Sequence, residues 1–337
     1  MCLASLADIF GDLRGREEEW DTIAKTLDAK RAMKQIASVL MDLHGLGLVH
    51  QDIKPQNILI SSAPSRQIII AYSGLRKKID EDQSSFLPTT NGASAAGTVG
   101  WQAPEILRGH VKLDGLPTGD DFTSPPGSPT TPTGFFSGTT TSIPKIPLTK
   151  CVDIFSLGCL FYYILTKGEH PYGDHIHREA NIIKDNKDLS LICSNEEALD
   201  LITRMLDPDP SQRPTIETCL LHPFFWNPAK RLNFLQEVSD RLERMCKDKD
   251  AALIRLERDA KRLLQCDWRH ALHPRFVDDL RKTRKYDGDS VRDLLRALRN
   301  KVKKKKYPSH FLFDPNPFAI SIRKIITKTS QTMLNSS

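Results

Sequence analysis

The stretch HQDIKPQNILI at residues 50–60 constrains the fold of this chain more than any other part of its sequence. It places Asp52, Lys54 and Asn57 at positions i, i+2 and i+5 on a loop that leads directly into the apolar run NILI. Functional side chains are often carried on loops that rigid elements hold in place. The sequence predicts a helix before this loop and a strand after it.

A well-marked amphipathic pattern precedes the loop. The segment DAKRAMKQIASVLMDLHGLG has Asp28 as a candidate N-cap, glycines beyond its end, and apolar residues on one face at Met33, Ile36, Leu40 and Leu43. After the loop, the runs NILI and QIIIAY are separated by the turn-prone SSAPSR. These two runs predict a short β-hairpin.

Helical patterns dominate the rest of the chain. Apolar periodicity resumes in VDIFSLGCLFYYILT, EEALDLITRML and TIETCLLHPFF, and beyond Trp226 the chain is almost entirely charged amphipathic helix through Asn300. Residues 113–148 are crowded with Pro, Thr, Ser and Gly, which predicts a disordered insert. Its Ser-Pro and Thr-Pro pairs make it either a target of proline-directed kinases or a plain spacer.

Composition and charge narrow the class of protein. No apolar run approaches the roughly 20 residues that a bilayer span requires, and the first ten residues lack the layout of a signal peptide. The seven cysteines are scattered without metal-site spacing, so we expect reduced, buried thiols in a soluble, cytoplasmic chain. The net charge of +6 gathers in the last third, which permits an anionic partner such as RNA or an acidic membrane surface.

The side chains of the loop match one kind of chemistry. Phosphoryl transfer needs a carboxylate to orient the attacking hydroxyl, a cation near the moving phosphate and an amide oxygen for a metal. The loop resembles the catalytic loop of eukaryotic protein kinases. Three later motifs agree in order and spacing: GTVGWQAPEIL with Glu105, DIFSLGC with Asp153, and DPSQRP with Arg213.

The resemblance implies a protein-kinase C-lobe over residues 1–226, helical with a short β-hairpin. It implies catalytic roles for Asp52 and Lys54, and metal binding by Asn57. Glu105, Asp153 and Arg213 are structural residues in such a lobe. The cofactors implied are ATP and Mg²⁺, and the implied nucleotide-binding residues are Cys2, Lys54, Asn57 and Leu59.

The chain departs from the kinase pattern at several positions. The family's Asp-Phe-Gly is Tyr72-Ser73-Gly74 here, and a neutral Tyr hydroxyl is a poor ligand for a hard cation. Gln51 replaces the usual Arg before the catalytic Asp. MCLASLADI is similar to the end of a kinase hinge, so we expect the N-lobe to be absent. The resemblance marks Ser84 and Ser85 as phosphorylation sites.

A second set of motifs narrows the resemblance. RKYDGDSVRDLLRALRNK, preceded by DWRHALHPRFVDDL, resembles the kinase-extension nuclease domain of the unfolded-protein-response sensor, the inositol-requiring kinase/endoribonuclease. Fungal members carry a similar Ser/Thr/Pro-rich insert. The resemblance implies an all-α nuclease domain over residues 227–301, so the predicted fold is mainly α. Residues 302–337 form a basic tail outside the family pattern, which we expect to be disordered.

The resemblance also implies a function for the last helix. Tyr286 would be the general base of metal-independent RNA cleavage, and Arg299 and Asn300 would bind the phosphate. Lys303 and Lys304 stand where the family has a His-His pair, and lysine, with a pKa near 10.4, donates its proton reluctantly. The implied partners are messenger-RNA stem-loops and a second copy of the chain. Such sensors lie in the endoplasmic reticulum membrane with this region in the cytosol.

The residues of the last helix leave two interpretations open. Val291, Leu294, Leu295 and Leu298 form one stripe, and Arg292, Arg296 and Arg299 form another. The arginine stripe faces a phosphate backbone, or it is a solvated face paired with Asp289 and Asp293.

Three hypotheses about function follow. The chain is part of an enzyme that phosphorylates itself and cleaves messenger RNA; it is a catalytically inactive pseudokinase scaffold that binds RNA or a sibling chain; or it is a fragment that folds poorly.

Overall fold

In the computed structural model, the chain divides into two compact units. The units comprise residues 1–189 with 202–217, and residues 190–201 with 218–337. The residues that the structure describes are 2–11, 18–61, 68–71, 100–108, 150–244, 254, 257–260, 264, 267–272, 274–282, 284–302 and 325–326. The insert predicted at 113–148, the Tyr72-Ser73-Gly74 motif, Ser84, Ser85, Lys303 and Lys304 lie outside these residues.

The described residues are mainly helical, as predicted. The helices are α1 (Leu6–Phe10), α2 (Glu18–Thr26), α3 (Ala29–Gly45), α4 (Pro104–Leu107), α5 (Cys151–Thr166), α6 (Arg178–Ile183), α7 (Glu196–Met205), α8 (Ile216–Leu221), α9 (Pro228–Arg244), α10 (Trp268–Ala271), α11 (Pro274–Arg281) and α12 (Val291–Val302). Short 3₁₀ turns lie at Pro55–Asn57, Ser190–Ile192, Pro210–Gln212 and Pro223–Phe225. No described helix combines the length and apolar character needed to cross a bilayer.

The predicted hairpin is confirmed, and a further strand joins it. The strands are β1 (Cys2–Ser5), β2 (Ile58–Ser61) and β3 (Ile68–Ile70), arranged antiparallel in the order β1-β2-β3. Ile58 pairs with Ile70 and Ile60 with Ile68, and both residues of β2 are fully buried. The alternation typical of a half-buried strand therefore fixes the register. Strand β1 was not predicted, because its pairing with β2 is a long-range contact.

Helix α3 forms where the periodicity predicted it. The Asp28 carboxylate accepts a hydrogen bond from the Arg31 amide at 3.0 Å, which caps the first turn. The side chains of Met33, Ile36 and Leu40 are fully buried on one face. Helix α3 thus begins at the predicted cap and delivers the chain to the 50–60 loop with its apolar face in the core.

Helix α5 crosses the centre of the first unit. It is apolar on nearly all sides, and every residue from Val152 to Ile164 is buried. A Cβ added at Gly158 would lie 2.9 Å from the Met205 Cβ, so a glycine is needed at this close approach. The helix ends at Lys167, whose φ of 59° is left-handed, followed by Gly168.

The second unit packs α12 against α9 around a separate core. The apolar stripe of α12 is buried as its spacing predicted, with Val291, Leu294, Leu295 and Leu298 each at most 1% exposed. The core also contains Trp268 and Tyr286. Two residues of the tail, Ile325 and Ile326, are helical and buried in this core, although the tail was expected to be disordered.

The described cysteines depart in part from expectation. Cys159 and Cys219 are buried free thiols, while Cys151 is half-buried and Cys193 is exposed. Burial raises the pKa of the Cys159 thiol far above its ordinary value, so this residue behaves as a core side chain.

Candidate functional site

The structure brings Asp52, Lys54 and Asn57 together at the end of the 50–60 loop. The Lys54 Nζ lies 2.9 Å from the Asp52 Oδ1. The Asn57 amide nitrogen donates to the Asp52 Oδ2 and to the Asp52 backbone oxygen, each at 2.8 Å. All three side chains are half-buried, so the cluster is held within the fold yet remains open to solvent.

A buried carboxylate holds the backbone of this loop. The Asp153 side chain is 1% exposed and accepts hydrogen bonds from the amides of His50 and Gln51, each at 2.7 Å. The His44 Nε2 lies 3.0 Å from the same carboxylate. Gln51 has a φ of 66°, which is strained for a residue other than glycine, and the hydrogen bond that its backbone N–H donates to Asp153 stabilises that conformation.

Glu105 and Arg213 form a buried ion pair in the first unit. The two guanidinium nitrogens of Arg213 donate to the two carboxylate oxygens of Glu105 at 2.7 and 2.8 Å. The remaining donors of Arg213 reach the carbonyl oxygens of Asp207 at 2.8 Å and Cys151 at 3.0 Å. Through these four hydrogen bonds Arg213 connects the segments that carry Glu105, Cys151 and Asp207.

The predicted nucleotide-binding residues lie on the 50–60 loop and on the sheet beside it. Leu59 is half-buried in the central strand, and the backbone of Cys2 pairs with Ser61. Among the described residues, no group of three or more His, Cys, Asp or Glu side chains could hold a metal ion. Magnesium bound to phosphates prefers carboxylate oxygens in octahedral geometry. Asp52 supplies one carboxylate and Asn57 one amide oxygen at this loop, and the Tyr72 position lies outside the described residues.

In the second unit the structure brings Tyr286, Arg299 and Asn300 together. The Asn300 amide nitrogen donates to the Tyr286 hydroxyl oxygen at 3.2 Å. The Arg299 Nε donates to the Asn300 side-chain oxygen at 3.3 Å. Tyr286 is 5% exposed, whereas Arg299 and Asn300 are half-buried. Because Asn300 bonds to both neighbours, its amide has a defined orientation.

Tyr286 also lines a cavity of about 280 Å³. Its ring meets the Trp268 ring edge to face, with centroids 6.3 Å apart. The other described residues around the cavity include four cations: Arg269, Val277, Leu280, Arg281, Arg284 and Lys285. Sequence reasoning missed Trp268 and Arg269, although both lie in the quoted segment DWRHALHPRFVDDL.

The arginine stripe of α12 is engaged with carboxylates of α9. The Arg296 Nε donates to the Glu243 Oε1 at 2.8 Å, and the Arg296 Nη1 donates to Asp293 at 2.9 Å. The Arg292 Nε lies 3.7 Å from Glu243, and the Arg299 Nη1 donates to Asp240 at 3.0 Å. The stripe thus meets α9 rather than presenting three unengaged guanidinium groups to a phosphate backbone.

These contacts change the titration of Glu243. Partial burial acts to raise its pKa, but the hydrogen bond from Arg296 and the charges of Arg296, Arg292 and Arg299 outweigh burial, so its pKa is lowered. Of the partners that the sequence suggested, Asp293 is used. The other two partners, Asp240 and Glu243, lie three residues apart on α9, and this acidic spacing is the sequence signal that could have indicated them.

Comparison with known proteins gives two matching family models. The protein kinase domain model matches residues 11–115 and 142–225, and the Ribonuclease 2-5A model matches residues 231–308. The segments that carry the two clusters described above therefore fall in two different domains.

Three relatives match across most of this chain and so include both domains. The chain is 40% identical over 317 residues to the serine/threonine-protein kinase/endoribonuclease IRE1 of Hypocrea jecorina, covering 89% of this chain and 24% of that protein. It is 39% identical over 313 residues to the sensor for unfolded proteins in the ER ire1 of Schizosaccharomyces pombe, covering 89% and 27%. It is 38% identical over 285 residues to the serine/threonine-protein kinase/endoribonuclease IRE2 of Homo sapiens, covering 82% and 26%.

The chain therefore spans about a quarter of the length of these relatives. The protein kinase model matches before the ribonuclease model, which is the order in the names of the Hypocrea jecorina and Homo sapiens relatives. On these matches, the chain belongs to the IRE1 family of serine/threonine-protein kinase/endoribonucleases.

Proposed function

We propose that this chain acts on RNA through Tyr286, Arg299 and Asn300, cleaving stem-loops without a metal. The observation that carries the proposal is the 3.2 Å contact between the Tyr286 hydroxyl and the Asn300 amide, with Arg299 bonded to the same amide. A phenol, an amide and a guanidinium are thereby grouped at one place, which is the set of groups that phosphate-ester cleavage by acid–base catalysis uses.

The chemistry assigned to these groups is an internal transesterification. Tyr286 takes the proton of a ribose 2′-hydroxyl, the 2′-oxygen forms a bond to phosphorus, and the bond from phosphorus to the 5′-oxygen breaks. Arg299 and Asn300 stabilise the charge on the pentavalent phosphate. The Arg299 Nη2 has no hydrogen bond to any residue that the structure describes, so it is the nitrogen we assign to the phosphate.

Cleavage is expected to be slow. The leaving 5′-oxygen needs a proton, and Lys303 and Lys304 stand where the resemblance places histidines. Lysine, with a pKa near 10.4, is a weak acid at neutral pH, and losing a general acid costs about 100- to 10,000-fold in rate. The same substitution favours a second candidate function, an RNA-binding scaffold without cleavage, because lysine still attracts phosphate.

The kinase domain, by family, implies ATP and Mg²⁺, with Asp52 and Lys54 at the reacting phosphate and Ser84 and Ser85 as acceptors. We propose that this unit does not transfer phosphate, because Tyr72 stands where the family pattern has the metal-binding carboxylate. The relative from Schizosaccharomyces pombe is named a sensor for unfolded proteins in the ER. We extend that role, and self-association, to this chain.

Purified protein and a labelled RNA stem-loop, incubated in EDTA, test the proposal. Slow cleavage that Tyr286→Phe reduces at least 100-fold supports the ribonuclease function. Tyr162→Phe is the matched control, because it removes a hydroxyl from another buried tyrosine in the first unit. Binding without cleavage supports the scaffold. A folded protein that neither binds nor cleaves the RNA contradicts both functions.

A further inference from the structure

The turn formed by Asp267, Trp268 and Arg269 holds the backbone of residues 286–288, the loop that begins at Tyr286. We propose that Arg269, fixed by Asp267, is a positioning residue that places the Tyr286 hydroxyl against Asn300. The catalytic consequence of this inference rests on the proposed ribonuclease function, whereas the positioning itself does not.

Three successive carbonyl groups of the loop are held by this turn. The Arg269 Nη1 donates to the Tyr286 carbonyl oxygen at 3.0 Å. The Trp268 indole nitrogen donates to the Asp287 carbonyl at 2.9 Å, and the Trp268 amide donates to the Gly288 carbonyl at 3.1 Å. Three consecutive acceptors satisfied by two adjacent residues leave this loop little freedom to shift.

Arg269 is itself immobilised by Asp267. Its Nε donates to both carboxylate oxygens, at 2.9 and 3.0 Å, and its Nη2 and backbone amide also donate to Asp267. The hydrogen bond from Arg269 lowers the pKa of the Asp267 carboxyl, and the reciprocal bond raises the pKa of the guanidinium. The planar guanidinium thus spans from a fixed carboxylate to the Tyr286 carbonyl, a geometry that lysine cannot reproduce.

The opposite side of the loop is held from α12. The Asp293 carboxylate accepts the Asp287 amide hydrogen bond at 2.8 Å. A Cβ at Gly288 would lie 2.0 Å from the Asp267 Oδ1, so the loop and the turn are in direct contact there. The peptide group between Tyr286 and Asp287 is therefore held at its oxygen by Arg269 and at its nitrogen by Asp293.

The catalytic rate depends on how accurately the reacting groups are placed. A displacement of about 1 Å in a reacting group costs about 100-fold in rate. Arg269→Lys keeps the positive charge and most of the volume but loses the bond to either Asp267 or the Tyr286 carbonyl. We expect this variant to bind RNA normally and to misplace the Tyr286 hydroxyl.

The first measurement needs no cleavage. Full-length protein labelled with 3-fluorotyrosine gives a ¹⁹F resonance for Tyr286 that Tyr286→Phe removes and so assigns. Arg269→Lys is expected to shift and broaden this resonance. Arg281→Lys is the matched control, since Arg281 lines the same cavity but is exposed and lies 3.7 Å from Asp278. An unchanged Tyr286 resonance in Arg269→Lys overturns the proposal.

The second measurement separates positioning from folding and from binding. In single-turnover cleavage, Arg269→Lys should lower the rate constant about 10- to 100-fold and leave the half-saturating RNA concentration within about twofold. The cavity of about 280 Å³ beside Arg269 has room for a small cation, so millimolar methylguanidinium should restore part of the rate of Arg269→Gly. Asp267→Asn, which keeps one acceptor oxygen, should lie between the wild type and Arg269→Lys and serves if the latter does not fold.

The two failures are distinguishable. If the wild type cleaves no RNA, the ribonuclease function fails, and the ¹⁹F resonance still decides whether Arg269 positions Tyr286. If Tyr286→Phe abolishes cleavage while Arg269→Lys cleaves at the wild-type rate, the ribonuclease function stands and the role of Arg269 is overturned.

Discussion

Replacing Glu243 by Gln removes the charge that α9 presents to the arginine stripe of α12. In the structure one carboxylate oxygen of Glu243 accepts the Arg296 Nε at 2.8 Å and lies 3.7 Å from the Arg292 Nε. Arg296 is 8% exposed, so its charge depends on these partners rather than on water. Among the described residues, the variant leaves the Arg296 guanidinium with one carboxylate partner, Asp293 at 2.9 Å.

The size of the effect follows from this geometry. Removing one partner of a fully buried ion pair costs about 3–5 kcal/mol, whereas an exposed pair contributes about 0.2–1 kcal/mol. The Glu243 side chain is 28% exposed, and Arg296 keeps a second carboxylate, so the loss lies between these limits. We expect about 2 kcal/mol, the range of a hydrogen bond to a charged group.

Urea unfolding measures this loss, with hydrogen exchange of peptides from α9 and α12 to assign the transition to the second unit. A loss of about 2 kcal/mol lowers the midpoint by about 1 M for a typical dependence on urea. Glu237→Gln is the control, because Glu237 is exposed on the same helix and its replacement should change stability by less than about 0.5 kcal/mol. Equal midpoints for the two variants would refute the assignment of Glu243 as the anchor of the stripe.

Three further predictions concern single contacts. Glu105→Gln leaves the buried Arg213 charge without its carboxylate and should cost about 3–5 kcal/mol, measured by urea unfolding of the first unit. Gly288→Ala forces a methyl group against the Asp267 carboxylate that Arg269 holds, so its melting temperature should fall and the Tyr286 resonance should change. The folded-state pKa of Asp267 lies below its ordinary value of 3.8, so its ion pair stabilises the second unit fully above pH 3.8. This stabilisation is lost as the pH falls through the lower folded-state pKa. In Asp267→Asn, the melting temperature should therefore fall less steeply at acid pH than in the wild type.

Each of these three predictions can be contradicted by a specific result. A Glu105→Gln variant as stable as the exposed control Glu169→Gln would mean that Arg213 finds another partner. An unchanged melting temperature in Gly288→Ala would mean that the turn and the loop separate at little cost. An acid limb that is identical in Asp267→Asn would assign the pH dependence to other carboxylates.

Local patterns in the sequence predicted most of the elements. Helix α3 begins directly after its N-cap Asp28, because the cap and the apolar period are both encoded within one short segment. The hairpin of β2 and β3 and the buried face of α12 follow from periodicity in the same way. The clustering of Tyr286 with Asn300 was also implied, though only by the resemblance.

Contacts between distant segments could not be predicted in this way. Strand β1 pairs with residues more than fifty positions later, and a four-residue run carries too little pattern to show it. The partners of Arg296 and Arg299 lie 53 and 59 residues away on α9. The Arg269 contact to the Tyr286 carbonyl involves a backbone acceptor, which every residue offers and no sequence marks.

The chemical ends left on a cleaved RNA decide whether the cluster at Tyr286 is a ribonuclease site. Long incubation of a stem-loop with the wild-type protein in EDTA, followed by mass spectrometry, should show a 2′,3′-cyclic phosphate on one fragment and a 5′-hydroxyl on the other. A 2′-deoxy substitution at the cleaved nucleotide should abolish the reaction. Fragments ending in a 3′-hydroxyl and a 5′-phosphate, or the same products from Tyr286→Phe at the wild-type rate, would contradict proton abstraction by this tyrosine.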